Sequence, residues 1–224
     1  MSVFAQTRPF IDWQWIVEHV DDMWERTIEH VVLTGLAVSI GLVISVALSL
    51  VALRFRRTYA PISGTAGVLY TIPSIGLFAF LVPFTGLSLL TAEIGLVSYT
   101  LLILIRNIVA GINGVPESVV EAARAMGYTD RRLFWEIQLP LAVPVVMAGV
   151  RLAAVTVVGL VTVTSLIGQG GYGVFILRGL SRTFATEILV GIVLSIALAL
   201  LIDSALLGLQ RWVAPWMRRR PRTA

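Results

Sequence analysis

Long apolar runs separated by short polar breaks dominate this chain. Five stretches are apolar enough to cross a membrane as helices, which requires roughly 20 residues each: about 31–53, 61–84, 89–112, 139–167 and 188–209. Pro73 and Pro83 lie within the second stretch and predict a broken helix there, since proline removes a backbone donor. The pattern predicts an all-α integral membrane protein with five transmembrane helices.

An amphipathic segment precedes the first predicted span. Apolar side chains recur at helical spacing from Trp13 to Val31, and acidic side chains occupy the opposite side. Tryptophan favours the membrane interface, whereas an acidic face is repelled by the anionic cytoplasmic leaflet. We therefore predict an interfacial helix within an extracytoplasmic segment, residues 1–30. A cleavable signal peptide is not expected, because its pattern of basic, apolar and small residues is missing.

The overall composition agrees with one membrane domain. Hydrophobic residues make up 57% of the 224 residues and charged residues 13%, which leaves no room for a separate soluble domain. We assign residues 31–210 to the transmembrane domain. The chain has no cysteine, which excludes disulfides and thiolate metal sites, and we expect neither a metal nor a cofactor on this chain.

The arginines predict the orientation, because positive charge concentrates in cytoplasmic loops. Lysine is absent, and eleven of the 17 arginines fall in three segments that we place inside: Arg54, Arg56, Arg57, Arg124, Arg131, Arg132, Arg211, Arg218, Arg219, Arg220 and Arg222. Four fall in segments that we place outside: Arg8, Arg26, Arg178 and Arg182. We predict an outer N-terminus and a basic cytoplasmic tail over residues 211–224.

Small and charged residues inside the predicted spans have separate expected roles. Small residues recur every fourth position in the first span, from Ala37 to Ser49, and predict close helix packing. Charges within spans are costly and usually find partners. We expect structural pairing for the four charges in or near spans: Glu93, Arg106, Arg151 and Asp203.

A polar island over about 113–138 interrupts the apolar pattern. Pro116 and Ser118 are suited to open a helix, Ser118 and Glu121 have the spacing of a capping box, and Gly127 is suited to end the helix. Asp130 is suited to cap a second short helix, and Pro140 marks the entry into the next span. The island therefore predicts a helix, a glycine turn and a helix on the cytoplasmic surface.

The island carries a motif: Glu121-Ala-Ala-Arg-Ala-Met-Gly127, nine further residues, then Ile137-Gln-Leu-Pro140. This motif resembles the EAA loop of bacterial ABC-importer permeases, which inserts a coupling helix into a groove on a cytoplasmic ATPase. The resemblance implies that ATP and magnesium are bound by that partner ATPase. It also implies a set of coupling residues: Glu121, Ala122, Ala123, Gly127, Ile137, Leu139 and Pro140.

Residues of about 31–210 are similar to the type-I importer core, also called the MetI-like fold. The closest resemblance is to its quaternary-amine branch, which takes up glycine betaine, carnitine, choline and proline betaine. Thr71-Ile-Pro-Ser-Ile75, Leu104-Ile-Arg-Asn107 and Ile167-Gly-Gln-Gly-Gly-Tyr-Gly173 carry it. Gln169 and Tyr172 depart from the last stretch, which in the branch more often reads Gly-Ala-Gly-Gly-Leu-Gly.

The resemblance implies a non-enzymatic permease subunit of the bacterial inner or plasma membrane that works by alternating access. Implied partners are an ATPase dimer, a second permease chain (identical or paralogous), an extracytoplasmic binding protein and membrane lipid, with no nucleic acid. Within the spans no dense aromatic cage is evident, which agrees with high-affinity capture by the binding protein. We predict a substrate path past four residues: Tyr70, Ser74, Tyr99 and Thr164.

Other functions stay open at this point. The substrate could be methionine, taurine or a phosphonate, and the chain could be a membrane scaffold or regulator that conducts nothing. A membrane-embedded hydrolase is disfavoured, because both histidines, His19 and His30, precede the first predicted span.

Overall fold

The computed structural model describes residues 10–218, and Arg8, Arg219, Arg220 and Arg222 of the predicted orientation lie outside them. Every regular element in the described part is helical. The α-helices are α1 (Trp13–Glu18), α2 (Val20–Arg54), α3 (Tyr59–Thr71), α4 (Ser74–Thr85), α5 (Leu89–Asn113), α6 (Glu117–Ala125), α7 (Asp130–Leu133), α8 (Leu139–Thr164), α9 (Gly173–Ser181) and α10 (Ala185–Val213). Short 3₁₀ turns cover Arg56–Thr58, Ser165–Ile167 and Pro215–Arg218.

Four helical segments, α2, α5, the run from α7 through α8, and α10, are long and apolar enough to cross a membrane. The pair α3 and α4 forms a fifth span if counted as one, with a bend of 97° between them. Ile72 is extended in the break (φ −64°, ψ 129°), because a residue before proline avoids the helical region. The break predicted at Pro73 is confirmed, whereas Pro83 lies inside α4 and the break expected there is wrong.

The N-terminal amphipathic segment is shorter as a separate helix than the sequence predicts. Only α1 stands apart, and α2 runs without interruption through the boundary that we placed between residues 30 and 31. Part of the polar side of early α2 faces protein, since Asp22 accepts from Arg26 at 3.2 Å and from Arg178 of α9 at 2.9 Å, whereas Asp21 and Glu25 are exposed. Trp24 on the other side is 67% exposed. The segment is therefore part of the first membrane helix, and the Asp22–Arg178 ion pair holds it against α9.

His30 illustrates the same correction. It lies within α2 and is fully buried, so it does not precede the first span as the sequence suggested. Its Nε2 atom lies 3.0 Å from the Val158 carbonyl oxygen of α8.

Helix α5 occupies the centre of the bundle, between α2 and α8, and α10 packs against α8 and α9. The small-residue stripe of α2 is buried as predicted, from Ala37 through Gly41 to Ser45 and Ser49. A Cβ atom at Gly41 would overlap the side chain of Thr100 on α5. The stripe therefore brings the α2 and α5 backbones close together.

The prediction of paired charges holds for one pair. Arg151 of α8 donates to both carboxylate oxygens of Asp203 on α10, each at 2.8 Å. Glu93 is buried with no hydrogen-bond partner for its carboxylate within residues 10–218. Arg106 is exposed and has no ion pair among the described residues. The structural pairing expected for Glu93 and Arg106 is therefore wrong within the described residues, and the two lie about 20 Å apart along α5 at 1.5 Å per residue.

Candidate functional site: the coupling loop and the broken span

Helix α6 opens the polar island, but its start differs from the prediction. Pro116 precedes the helix (φ −56°, ψ 133°) without any side-chain cap, and its carbonyl accepts from the Val119 amide at 3.0 Å. Ser118 is already inside the helix, so the capping box with Glu121 is wrong. Proline fixes φ near −65° and needs no amide partner, which allows the helix to begin earlier.

Gly127 ends α6 in the left-handed conformation, as predicted. Its φ is +85°, and no atom lies within 4 Å of the position of an added Cβ. The Gly127 amide donates to the Arg124 carbonyl at 2.9 Å, and the Tyr128 amide donates to the Ala123 carbonyl at 3.1 Å. This pair of bonds forms a Schellman motif, which satisfies the carbonyls at the helix end.

The second half of the island is not a separate helix. Thr129 caps α7 by accepting from the Arg132 amide at 3.4 Å, so Asp130 is the first helical residue and not the cap. A five-residue π-helix, Phe134–Gln138, then joins α7 directly to α8. Pro140 lies inside this continuous run, as the second residue of α8. The loop is therefore stiffly connected to the fourth span.

The motif residues divide between surface and interior. Glu121, Ala122 and Gly127 are exposed, Ala123 is 1% exposed, and Ile137, Leu139 and Pro140 are half-buried. Two further apolar residues of the loop, Val119 (37% exposed) and Met126 (69%), project from the same side of α6 and its end as Ala122. We name the Val119, Ala122 and Met126 surface the apolar loop face. This face was not among the predicted features, although the spacing of three and four residues between its members is a signal in the sequence.

The break between α3 and α4 brings together three of the four predicted path residues. The Tyr99 hydroxyl of α5 donates to the carbonyl oxygen of Ile72 within the break. The rings of Tyr70 and Tyr99 meet edge to face at 5.9 Å between centroids, and Ser74 is the first residue of α4. Tyr70 remains 38% exposed while Tyr99 is 5% exposed. One aromatic face is therefore available beside irregular backbone.

Thr164 lies elsewhere, at the end of α8. It is fully buried, and its hydroxyl donates to the Val161 carbonyl at 2.8 Å. A Cβ atom on Gly170 would lie 2.7 Å from that hydroxyl, which places Thr164 against the glycine-rich segment. Its role in a substrate path stays a prediction.

The glycine-rich segment is fastened to α2 by contacts that the sequence did not reveal. The Tyr172 amide donates to His30 Nδ1 at 3.3 Å, and the Tyr172 hydroxyl donates to Thr27 at 2.9 Å. Because Nδ1 accepts, Nε2 carries the proton that it donates to Val158. The departure at Tyr172 from the more frequent leucine therefore adds one side-chain bond, from its hydroxyl to Thr27, to a backbone bond that leucine could also make.

Comparison with known proteins identifies the family. The family model described as "Binding-protein-dependent transport system inner membrane component" matches residues 37–219. The carnitine transport permease protein OpuCB of Listeria monocytogenes is 34% identical and aligns over 92% of this chain and 94% of its own length. The choline transport system permease protein OpuBB of Bacillus subtilis (strain 168) is 32% identical over 90% and 93%. The osmoprotectant import permease protein OsmW of Salmonella typhimurium is 33% identical over 84% and 90%.

Solved structures agree on the fold. An inward-facing MetNI methionine ABC transporter chain has a TM-score of 0.71 and 24% identity, and the alignment covers 91% of this chain and 99% of that chain. A chain of an amino acid ABC transporter with histidines also has a TM-score of 0.71, at 18% identity. The all-helical bundle thus has the MetI-like type-I architecture. The chain belongs to the binding-protein-dependent transport system inner membrane component family and is a permease subunit of an ABC importer, in which a separate subunit hydrolyses ATP.

Proposed function

We propose that this permease takes up osmoprotective quaternary amines: glycine betaine, carnitine, choline and proline betaine. The observation that carries the proposal is similarity along nearly the whole chain to permeases named for carnitine, choline and osmoprotectants, at 32–34% identity. The likeness to a methionine transporter is at 24% identity and supports the fold alone. None of the relatives described above favours taurine or a phosphonate, and a scaffold that conducts nothing is not favoured by membership of a transport family.

The broken span offers the contact that such a substrate needs. A quaternary ammonium group cannot donate a hydrogen bond, and it is attracted to the face of an aromatic ring by about 0.5–2 kcal/mol. Tyr70 presents such a ring, and Tyr99 supports it edge to face. A single weak contact suits a path that must also release its substrate. We place Tyr70, Ser74 and Tyr99 on this path, and we keep Thr164, which packs against Gly170 at the end of α8, as a separate proposed path residue.

We propose further that the loop of residues 113–138 docks on the ATPase through the apolar loop face, with Glu121, which is also exposed, as a further coupling residue. The side chains of Val119 and Met126 would be buried in this interface, and burying apolar surface stabilises a complex by about 25 cal/mol per Å². Buried Ala123 lets α6 lie close to the rest of the loop. Ile137, Leu139 and Pro140 belong to the continuous helical run into α8. Movement of the ATPase would therefore reach the fourth span without a flexible joint, while ATP and magnesium remain on the ATPase.

A second permease chain, identical or paralogous, completes the pathway in this proposal. Arg106 is exposed, lies seven residues before the end of α5 and has no ion pair within residues 10–218. A charge at that depth normally faces protein or a hydrated cavity and not lipid. Its exposure in a single chain supports a neighbouring chain, or a path between two chains, beside this face of α5.

We propose that the N-terminus lies outside and the C-terminus inside, with residues 1–30 and 211–224 flanking the transmembrane domain. Arg54 at the end of α2 and Arg56 in the following 3₁₀ turn line the same cavity as Arg124 and Arg131 of the loop, so these positive charges share one membrane side. The positive-inside rule makes that side cytoplasmic. A binding protein would then deliver substrate at the opposite side, and ATP binding would open the path outward.

Uptake into proteoliposomes tests the substrate. The complete transporter, with ATP inside the vesicles and its binding protein outside, should accumulate labelled glycine betaine, choline or carnitine in competition with one another. Accumulation of methionine or taurine, with none of the quaternary amines, would overturn the proposal. Tyr70→Leu should raise the substrate concentration for half-maximal uptake, whereas Tyr70→Phe should preserve it. Phe84→Leu is the matched control, because this aromatic of the same broken span is 73% exposed but twelve residues from the break.

A further inference from the structure

A large cavity opens where the first membrane helix meets the coupling loop. It measures about 1010 Å³ and lies between the end of α2, the 3₁₀ turn Arg56–Thr58, the end of α5 and the α7 region. It is separate from the broken span and from the apolar loop face. Four arginines line it: Arg54, Arg56, Arg124 and Arg131.

The charge of this cavity is not balanced within the described residues. Asp130 is the one acidic residue of the lining, and it lies 3.4 Å from Arg124 in an exposed ion pair. Such exposed pairs hold their partners weakly. Arg54, Arg56 and Arg131 make no ion pair in the part of the chain that the structure describes. The cavity is therefore suited to an anion.

The cavity also has an apolar wall, which a small inorganic anion would not use. Leu53, Val109, Ile112 and Leu133 contribute to the lining. Leu50 lines the cavity and is itself 44% exposed on α2, a helix long and apolar enough to cross a membrane. An apolar surface thus continues from the bilayer into the arginine cluster.

We infer that this cavity binds the phosphate headgroup of an anionic phospholipid, with an acyl chain along Leu50. The planar guanidinium group can bind two phosphate oxygens at once, which makes arginine well suited to this ligand. Basic pockets between membrane helices on the cytoplasmic side are known to accept anionic headgroups. A bound phosphate would join Arg54 and Arg56 of the first span region to Arg124 and Arg131 of the loop. The lipid would therefore tie the coupling loop to the end of α2.

Adjacent arginines provide a matched test. Arg56 lines the cavity, whereas its neighbour Arg57 does not, and both are exposed. Native mass spectrometry of the full chain in mild detergent would measure binding of palmitoyl-oleoyl phosphatidylglycerol and of phosphatidylcholine with the same acyl chains. We expect preferential binding of phosphatidylglycerol, and about fivefold weaker binding in Arg56→Gln, since a basic residue near an anionic lipid surface contributes about 1 kcal/mol. Arg57→Gln should leave the affinity unchanged.

Further arms distinguish the source of the anion. Arg56→Lys should bind phosphatidylglycerol with intermediate affinity, because it keeps the charge but loses the planar fork. Equal binding of the two lipids, or equal weakening by Arg56→Gln and Arg57→Gln, would overturn the inference. Displacement of the lipid by inorganic phosphate at millimolar concentration would assign the cavity to a free anion. Loss of phosphatidylglycerol binding in the assembled transporter would assign it to the ATPase interface. All of these measurements report lipid binding to the cavity, so they do not depend on which substrate is transported.

Discussion

The left-handed turn at Gly127 yields a quantitative prediction about coupling to the ATPase. A side chain with a Cβ atom costs about 1–2 kcal/mol in this conformation. Because Gly127 is exposed and nothing surrounds the Cβ position, a free loop can relieve that strain by leaving the turn. Docking would then have to restore the turn. We therefore expect Gly127→Ala to weaken ATPase binding about five- to thirtyfold, since about 1.4 kcal/mol corresponds to a factor of ten.

Other residues at this position extend the prediction to a graded series. Asparagine tolerates the left-handed region better than alanine, so Gly127→Asn should weaken binding less. Proline cannot reach φ +85°, and it removes the amide that donates to the Arg124 carbonyl. With a cost of about 3 kcal/mol or more for a misplaced proline, Gly127→Pro should weaken binding at least about a hundredfold.

The assay is binding of purified ATPase, over a range of concentrations, to the immobilised permease in detergent. Gly168→Ala is the matched control, because Gly168 is also left-handed (φ +75°, ψ 8°) with open space around it, but it lies at the other end of α8. It should strain the backbone equally and leave ATPase binding unchanged. Wild-type affinity in Gly127→Pro, with normal membrane insertion, would refute the role that we give to this turn.

Three further predictions concern the membrane-embedded part. Gly41→Leu should overpack the α2–α5 contact at a cost of about 1–3 kcal/mol and so lower the melting temperature in detergent. Gly35→Leu is the control, because Gly35 lies in open space on the same helix. Equal decreases in melting temperature for the two variants would contradict the close approach of α2 and α5. Tyr99→Phe should leave the Ile72 carbonyl in the broken span unpaired and lower the stability of the folded chain by about 1–3 kcal/mol. We expect it to reduce uptake more than it reduces ATPase binding. Unchanged uptake would remove this residue from the path. Arg151→Asp and Asp203→Arg should each lower the yield of folded protein, and the double swap should recover much of it; recovery no better than either single variant would show that the pair is not specific.

Local features of the sequence determined much of the fold and of the coupling loop. The apolar runs set the number of spans, because each helix must satisfy its own backbone hydrogen bonds inside a bilayer. Pro73 broke the second span through its effect on Ile72, and Gly127 adopted the left-handed turn. These effects depend on a residue and its immediate neighbours. The helix starts were less predictable, since Pro116 and Thr129 displaced the expected caps Ser118 and Asp130.

Tertiary structure alone decided which faces meet. Hydrophobic periodicity separates apolar from polar positions, but lipid and protein interior are both apolar, so it does not show which side of a membrane helix is buried. On α2, for example, the apolar side chain of Trp24 is exposed, whereas the charged side chain of Asp22 accepts a hydrogen bond from Arg178 of α9. The contact of Tyr99 with Ile72 and the arginine-lined cavity likewise join residues far apart in the chain. Such contacts depend on how whole helices pack, which no local stretch of sequence specifies.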